Sequence, residues 1–180
     1  MRQIHAAVQL YAHDHRNFLP PKFEVKKKTL TAKELSEGKR LNTLEDGIQL
    51  ILKPYVGQKL FACPADFGDL TDPTPVVQQI GTSYEVRGAE YKIEKDPAKQ
   101  AERDRKNRLS LRDTRDIASD LFKPWDSEDP KKVQEKIDKG ERGPVRWHKK
   151  YFNKVMGDGR VISIDSKAAD KESKGETSDD

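Results

Sequence analysis

Tyr151-Phe152-Asn153-Lys154-Val155-Met156, then Gly157-Asp158-Gly159, then Arg160-Val161-Ile162-Ser163-Ile164 is the stretch that decides the fold. Both flanks read as β-strands, and Asp-Gly between two such runs is a strong hairpin signal. Phe152, Val155, Val161 and Ile164 are expected to face a core, with polar groups on the outer side. Just upstream, Val145-Arg146-Trp147-His148 reads as another strand, with Trp147 as a packing anchor. Thr82-Ser83-Tyr84-Glu85-Val86 alternates and reads as a further strand, and Ile117 to Phe122, closed by Pro124, reads as another. The sum is an antiparallel sheet of three or four strands. One face of such a sheet must be covered by another layer.

The cover is legible at the start of the chain. Ile4, Ala7, Val8, Tyr11 and Ala12 recur at three- and four-residue steps, the period of a helix with one apolar stripe. Arg2, Gln3, Gln9, His13 and Arg16 fall on the other side, and Pro20-Pro21 forbids continuation. Ile4, Val8 and Tyr11 are expected to pack on the sheet. No capping residue precedes the stripe, which reads as a helix cut in its middle. Thr31 with Glu34 makes a capping box for a short helix to about Gly38, and Thr43 with Asp46 resembles a second. Leu44, Ile48, Ile51, Leu52 and Tyr55 then form another apolar stripe. Asp129-Pro130 can open a helix that buries Val133 and Ile137.

The expected class is therefore α+β: an N-terminal helix on a small antiparallel sheet, with helical and loop insertions. Residues 1–165 read as one domain. Residues 92–116 are almost wholly charged or polar and read as a mobile excursion or a solvated helix. Residues 166–180 read as a disordered tail.

Only 33% of the 180 residues are hydrophobic and 37% are charged, against roughly 45–50% and about 25% in ordinary domains. The core must be small for this length. The net charge of +4 is the difference of 35 basic and 31 acidic residues, interleaved along the chain. That pattern argues against a nucleic-acid binder, which gathers basic charge on one face. No apolar run approaches the about 18 residues of a membrane span.

The search for chemistry is mostly negative. His13 and His15 are two apart and point to different faces of a helix, whereas a helical zinc pair needs a spacing of four. His148 beside Ser163 and Asp165 lacks a nucleophile elbow such as GxSxG, so it reads as a partly buried strand histidine. Cys63, the single cysteine, allows no disulfide within the chain and no cysteine-based zinc site, and next to Pro64 it reads as structural. Asp66, Asp69 and Asp72 recur every three residues in a loop, and Asp158 and Asp165 flank the hairpin. Oxygen-rich loops of this sort bind calcium, although the EF-hand glycine and glutamate are missing. Trp125 and Trp147 read as packing residues. Lys26-Lys27-Lys28 reads as a solvated loop.

Three segments carry a resemblance. Residues 2–15, Arg-Gln-Ile-His-Ala-Ala-Val-Gln-Leu-Tyr-Ala-His-Asp-His, are followed by Phe18-Leu19-Pro20-Pro21. Phe61-Ala62-Cys63-Pro64-Ala65-Asp66 and Val155-Met156-Gly157-Asp158-Gly159-Arg160-Val161 come after them in order. Together these are similar to pseudopilin-like proteins, which carry a prepilin-type N-terminal cleavage and methylation motif and relate to type II secretion and type IV pilins. Gly157 and Arg160 depart from the alanine and histidine frequent in that family, and residues 92–116 have no counterpart in it. The resemblance implies a pilin-like fold and a structural, non-enzymatic subunit of a pseudopilus or pilus-like fibre. Its partners would be other subunits and, through a hydrophobic segment upstream of Met1, the inner membrane and prepilin peptidase. It implies a truncated or misplaced start at Met1, a place in the bacterial cell envelope, and a chain that is monomeric without that segment. It also implies that Cys63 can pair with a cysteine upstream of Met1, and it leaves calcium a possible cofactor with no other expected. The rival expectations are an extracellular binding module or minor tip subunit with a groove lined by Trp125, Trp147 or Tyr151, and a hydrolase using His148 and a carboxylate.

Overall fold

The computed structural model describes residues 1–24, 31–69, 72–110, 114–121, 130–139, 147–148 and 151–165. Its elements run α1 (Arg2–Asp14), β1 (Phe23–Glu24), α2 (Ala32–Ser36), β2 (Arg40–Leu41), α3 (Ile48–Ile51), a 3-10 helical turn (Gln58–Phe61), α4 (Val76–Ile80), β3 (Tyr84–Val86), α5 (Pro97–Asn107), β4 (Asp116–Asp120), α6 (Pro130–Asp138), β5 (Tyr151–Met156) and β6 (Val161–Asp165). The class is α+β. Its centre is a four-stranded antiparallel sheet of order β3-β4-β5-β6, and β1 and β2 form a separate parallel pair.

The hairpin forms where the Asp-Gly signal puts it. β5 and β6 pair in register from Tyr151 opposite Asp165 to Val155 opposite Val161. Gly159 sits at φ 86°, a left-handed conformation that costs an L-residue about 1–2 kcal/mol. A β-bulge between Asp116 and Ala118 shifts the β4–β5 register.

Helix α1 lies against β4 and β5. Its stripe is buried: Ile4, Ala7, Val8, Tyr11 and Ala12 are all under 10% exposed. Ile4, Ala7, Val8 and Tyr11 join Leu19, Leu52, Phe61, Val76, Ile117 and Val155 in one apolar cluster. His5 is buried with them and donates from Nε2 to the Gly157 carbonyl at 2.9 Å. That bond ties the first turn of α1 to the tip of the β5–β6 hairpin, 152 residues later in sequence.

Several elements differ from the reading of the sequence. Trp147 and His148 form a bend, not a strand, and Val145 and Arg146 lie outside the described residues. Trp147 is nonetheless buried, and its indole N–H donates to the Gly68 carbonyl at 2.9 Å. Phe152 and Val155 are fully buried, but Val161 is 37% exposed and Ile164 only half-buried. The reason is position: β6 is the edge strand, and α1 covers β4 and β5. Leu44 is 52% exposed, because Gly47 starts α3 only at Ile48.

Within residues 92–116 there is a solvated helix, α5. Asp96 caps it by accepting from the Ala98 N–H, with Pro97 in the first turn. Arg103 pairs with Glu90 and Glu94, which fastens this charged helix to the segment after β3. The capping box at Thr31 and Glu34 forms with both reciprocal bonds. Residues 166–180, Trp125, and the side chains of Val133 and Ile137 lie outside the described part of the structure.

Candidate functional site

The sheet ends where β3, β4 and β5 meet the loop after the 3-10 turn. Asp120 is the last residue of β4, opposite Tyr84 of β3. Cys63 follows the turn Gln58–Phe61, and its backbone N–H donates to Ser83 Oγ at 3.0 Å. The Ser83 backbone N–H in turn donates to the Phe61 carbonyl at 2.7 Å. His148 arrives from the bend just before β5. These three segments bring Cys63, Asp120 and His148 together. His148 Nε2 is 3.3 Å from Cys63 Sγ and 3.6 Å from Asp120 Oδ2. Among the described residues this is the one group of three or more His, Cys, Asp or Glu side chains whose ligand atoms converge, all within 4.8 Å of one another.

The group is sheltered but reachable. Cys63 is 5% and Asp120 2% exposed, while His148 is half-buried. It opens on a shallow cavity of about 410 Å³ that Met1, Arg2, Tyr84 and Asn153 also line. Asp120 Oδ2 accepts from both the backbone N–H and the side-chain amide of Asn153, at 2.8 and 3.0 Å. Burial pushes the Cys63 thiol above its ordinary pKa, and the nearby Asp120 charge adds to the rise. Burial likewise pushes the Tyr84 phenol up. Cys63 at neutral pH is therefore a protonated thiol, not an activated thiolate.

The arrangement is not a nucleophile relay. A relay holds the nucleophile on one imidazole nitrogen and the orienting carboxylate on the other. Here both partners face the same nitrogen, Nε2. The three side chains together offer one sulfur, one nitrogen and one oxygen ligand atom, all within 4.8 Å of one another.

The carboxylates expected in an oxygen site do not converge in threes among the described residues. Asp66 accepts from the backbone N–H groups of Gly68, Val76 and Val77 and from the Ser83 hydroxyl. It caps the start of α4 and ties it to the β3 entrance. Asp69 accepts from the Asp72 N–H, and Asp72 from the Thr74 N–H, so both shape turns of the loop. Asp158 accepts from the Arg160 backbone and guanidinium, and the backbone bond leads the lowering of its carboxyl pKa. Asp165 closes β6 and is exposed. His13 is exposed, and the His15 ring stacks on Tyr11 with centroids 4.0 Å apart.

Reading the sequence placed Cys63 and His148 in separate structural roles and passed over Asp120. A signal for Asp120 existed. It is an acidic residue in a strand between Ile117-Ala118 and Leu121-Phe122, where a charge is buried only if it has partners. The single cysteine excludes a multi-cysteine zinc site but not a mixed Cys, His and Asp set, and the fold assembles such a set. Family models, curated proteins and solved structures were each compared with this chain, and none matches it.

Proposed function

We propose that this chain is a pilin-like structural subunit of a pseudopilus or related fibre, and that its role is assembly rather than catalysis. The observation that carries this reading is α1 laid against the central strands β4 and β5, with its apolar stripe buried and its other face turned outward. Leu10 on that outward face is 52% exposed. The edge strand β6 presents Val161 and Ile162, both more than a third exposed. Among the described residues no further strand pairs with β6, and an edge strand with exposed apolar side chains is a ready surface for a neighbouring subunit. The class comes from the three segments that resemble pseudopilin-like proteins. Met1 and Arg2 line the same cavity as Cys63, an arrangement compatible with the upstream pairing that the resemblance implies.

No helix among the described residues is long and apolar enough to cross a membrane. On this reading, attachment to the cell envelope would be supplied by the hydrophobic segment that the resemblance implies. The single-nitrogen geometry at His148 favours the non-catalytic reading over a hydrolase. Of the aromatic residues named for a binding groove, Trp147 is buried and bonded to Gly68, Tyr151 is 50% exposed on β5, and Trp125 lies outside the described residues.

The test is made on the native protein from its own cells. Mass spectrometry of the mature N-terminus is expected to find a methylated residue upstream of a stretch of about 20 apolar residues, in the membrane or sheared-fibre fraction. A mature protein beginning at Met1 and recovered with the cytoplasm would refute the reading.

A further inference from the structure

We propose that Cys63, Asp120 and His148 bind a single divalent transition-metal ion of the zinc class, with a fourth coordination position open to the cavity beside Arg2. The proposal does not depend on the fibre reading.

The distances fit. Zinc–sulfur bonds of about 2.3 Å and zinc–nitrogen bonds of about 2.0–2.1 Å at a tetrahedral angle put sulfur and nitrogen about 3.6 Å apart. The same reasoning puts nitrogen and carboxylate oxygen about 3.4 Å apart. The observed separations from Nε2 are 3.3 Å to Sγ and 3.6 Å to Oδ2. Hydrogen bonding alone explains one of these contacts well and not both. An imidazole nitrogen carries either one N–H or one in-plane lone pair, so it serves one partner with good geometry. A cation at the centre serves all three atoms at once.

The donor set selects the ion. One thiolate, one imidazole and one carboxylate suit borderline-soft zinc, or cobalt in its place, whereas calcium and magnesium require oxygen ligands. Two negative ligands balance the charge of a divalent ion, so the buried site is neutral when filled. Binding releases one proton, from the Cys63 thiol to solvent, and needs His148 neutral. Supporting contacts are in place as well. Asn153 holds the Asp120 carboxylate through two bonds, and Ser83 holds the Cys63 backbone. Such outer contacts orient ligating groups and are worth roughly 10–100-fold in metal affinity. Three protein ligands with a solvent-facing fourth position is the pattern of an open zinc site.

The experiment uses the reduced, metal-stripped 180-residue chain titrated with cobalt(II) and then competed with zinc(II). Reduction matters, since a disulfide at Cys63 would occupy the sulfur. One equivalent of cobalt is expected to bind with a thiolate-to-cobalt charge-transfer band and tetrahedral visible bands, all removed by zinc. Cys63→Ala should abolish the charge-transfer band. His148→Gln should weaken binding by more than about tenfold, and Asn153→Ala by about tenfold. A His13→Ala, His15→Ala double variant should bind as the parent does. If Cys63→Ala fails to fold by near-UV circular dichroism, His148→Gln on its half-buried side chain carries the test. Absence of saturable one-equivalent binding overturns the proposal. So does binding without the charge-transfer band, or binding that His148→Gln leaves unchanged.

Discussion

Ile4→Ala tests the docking of α1 on the sheet, the feature from which both the fold and the fibre reading are built. Ile4 is 1% exposed and belongs to the apolar cluster that includes Val8, Ile117 and Val155. The substitution removes three carbons, worth about 0.8 kcal/mol each in transfer, or roughly 2.4 kcal/mol. A cavity in a packed core adds to this, and measured Ile→Ala losses run about 2–5 kcal/mol. Alanine's better helix propensity returns only a few tenths of a kcal/mol. The expected loss is therefore about 3 kcal/mol. Leu10→Ala is the internal control, because Leu10 is on the same helix but 52% exposed. Its loss should stay within about 0.5 kcal/mol. Urea unfolding followed by circular dichroism measures both, with an unchanged slope showing that stability alone has moved. A thermal midpoint lower by about 6–12 °C for Ile4→Ala is the parallel readout. If the two variants agree within about 1 kcal/mol, α1 does not pack on the sheet through Ile4 and the reasoning fails.

Asp66→Ala should cost more than about 3 kcal/mol, since three backbone N–H groups and the Ser83 hydroxyl lose a charged acceptor worth about 1.5–3 kcal/mol per bond. A loss below about 1 kcal/mol in the same urea assay would show that the carboxylate does not organise the loop. Gly88→Ala should cost about 3 kcal/mol, because its new Cβ would stand 2.2 Å from the Lys22 Cα, backbone that cannot turn aside. Gly57→Ala, which meets nothing within 4 Å, should be neutral or slightly stabilising. Equal effects at the two glycines would deny the close approach of the two segments. For pH, the folded chain holds the Cys63 and Tyr84 protons more tightly than the unfolded chain, as burial raises both pKa values. The native state then binds more protons at alkaline pH, so unfolding free energy falls as pH rises. For the metal-free chain, this stability is fully present below about pH 8.5 and declines above it, with a further decline past about pH 10. Cys63→Ala should flatten the first part of that decline. A urea midpoint that rises between pH 8 and 10 would contradict the sign.

The local elements were readable because their signals are local. Alternation about Asp158-Gly159, three- and four-residue steps from Ile4 to Ala12, and Thr31 with Glu34 each specify backbone geometry within a few residues. They gave the α+β class, the hairpin, the buried stripe of α1 and the buried Phe152 and Val155. The solvated helix within 92–116 was one of two alternatives, and Asp96-Pro97 is the cap that favours it. The exposure of Val161 and Ile164 was not readable, because alternation marks two faces of a strand without saying whether that strand lies at the sheet's edge. Strand order and the placement of α1 decide that. No local signal marks His5 for burial, and only the fold supplies the Gly157 carbonyl that lets it be buried. The Cys63, Asp120 and His148 group is the extreme case. Cys63 and His148 are 85 residues apart and Asp120 lies between them in sequence, so no spacing rule links them. Their convergence follows from β3 pairing with β4, and β4 with β5, which carries the ends of three distant segments to one corner of the sheet. Sequence periodicity sets which residues turn inward on each element. The pairing of elements far apart in the chain sets which side chains meet, and the chemistry of this protein rests on those meetings.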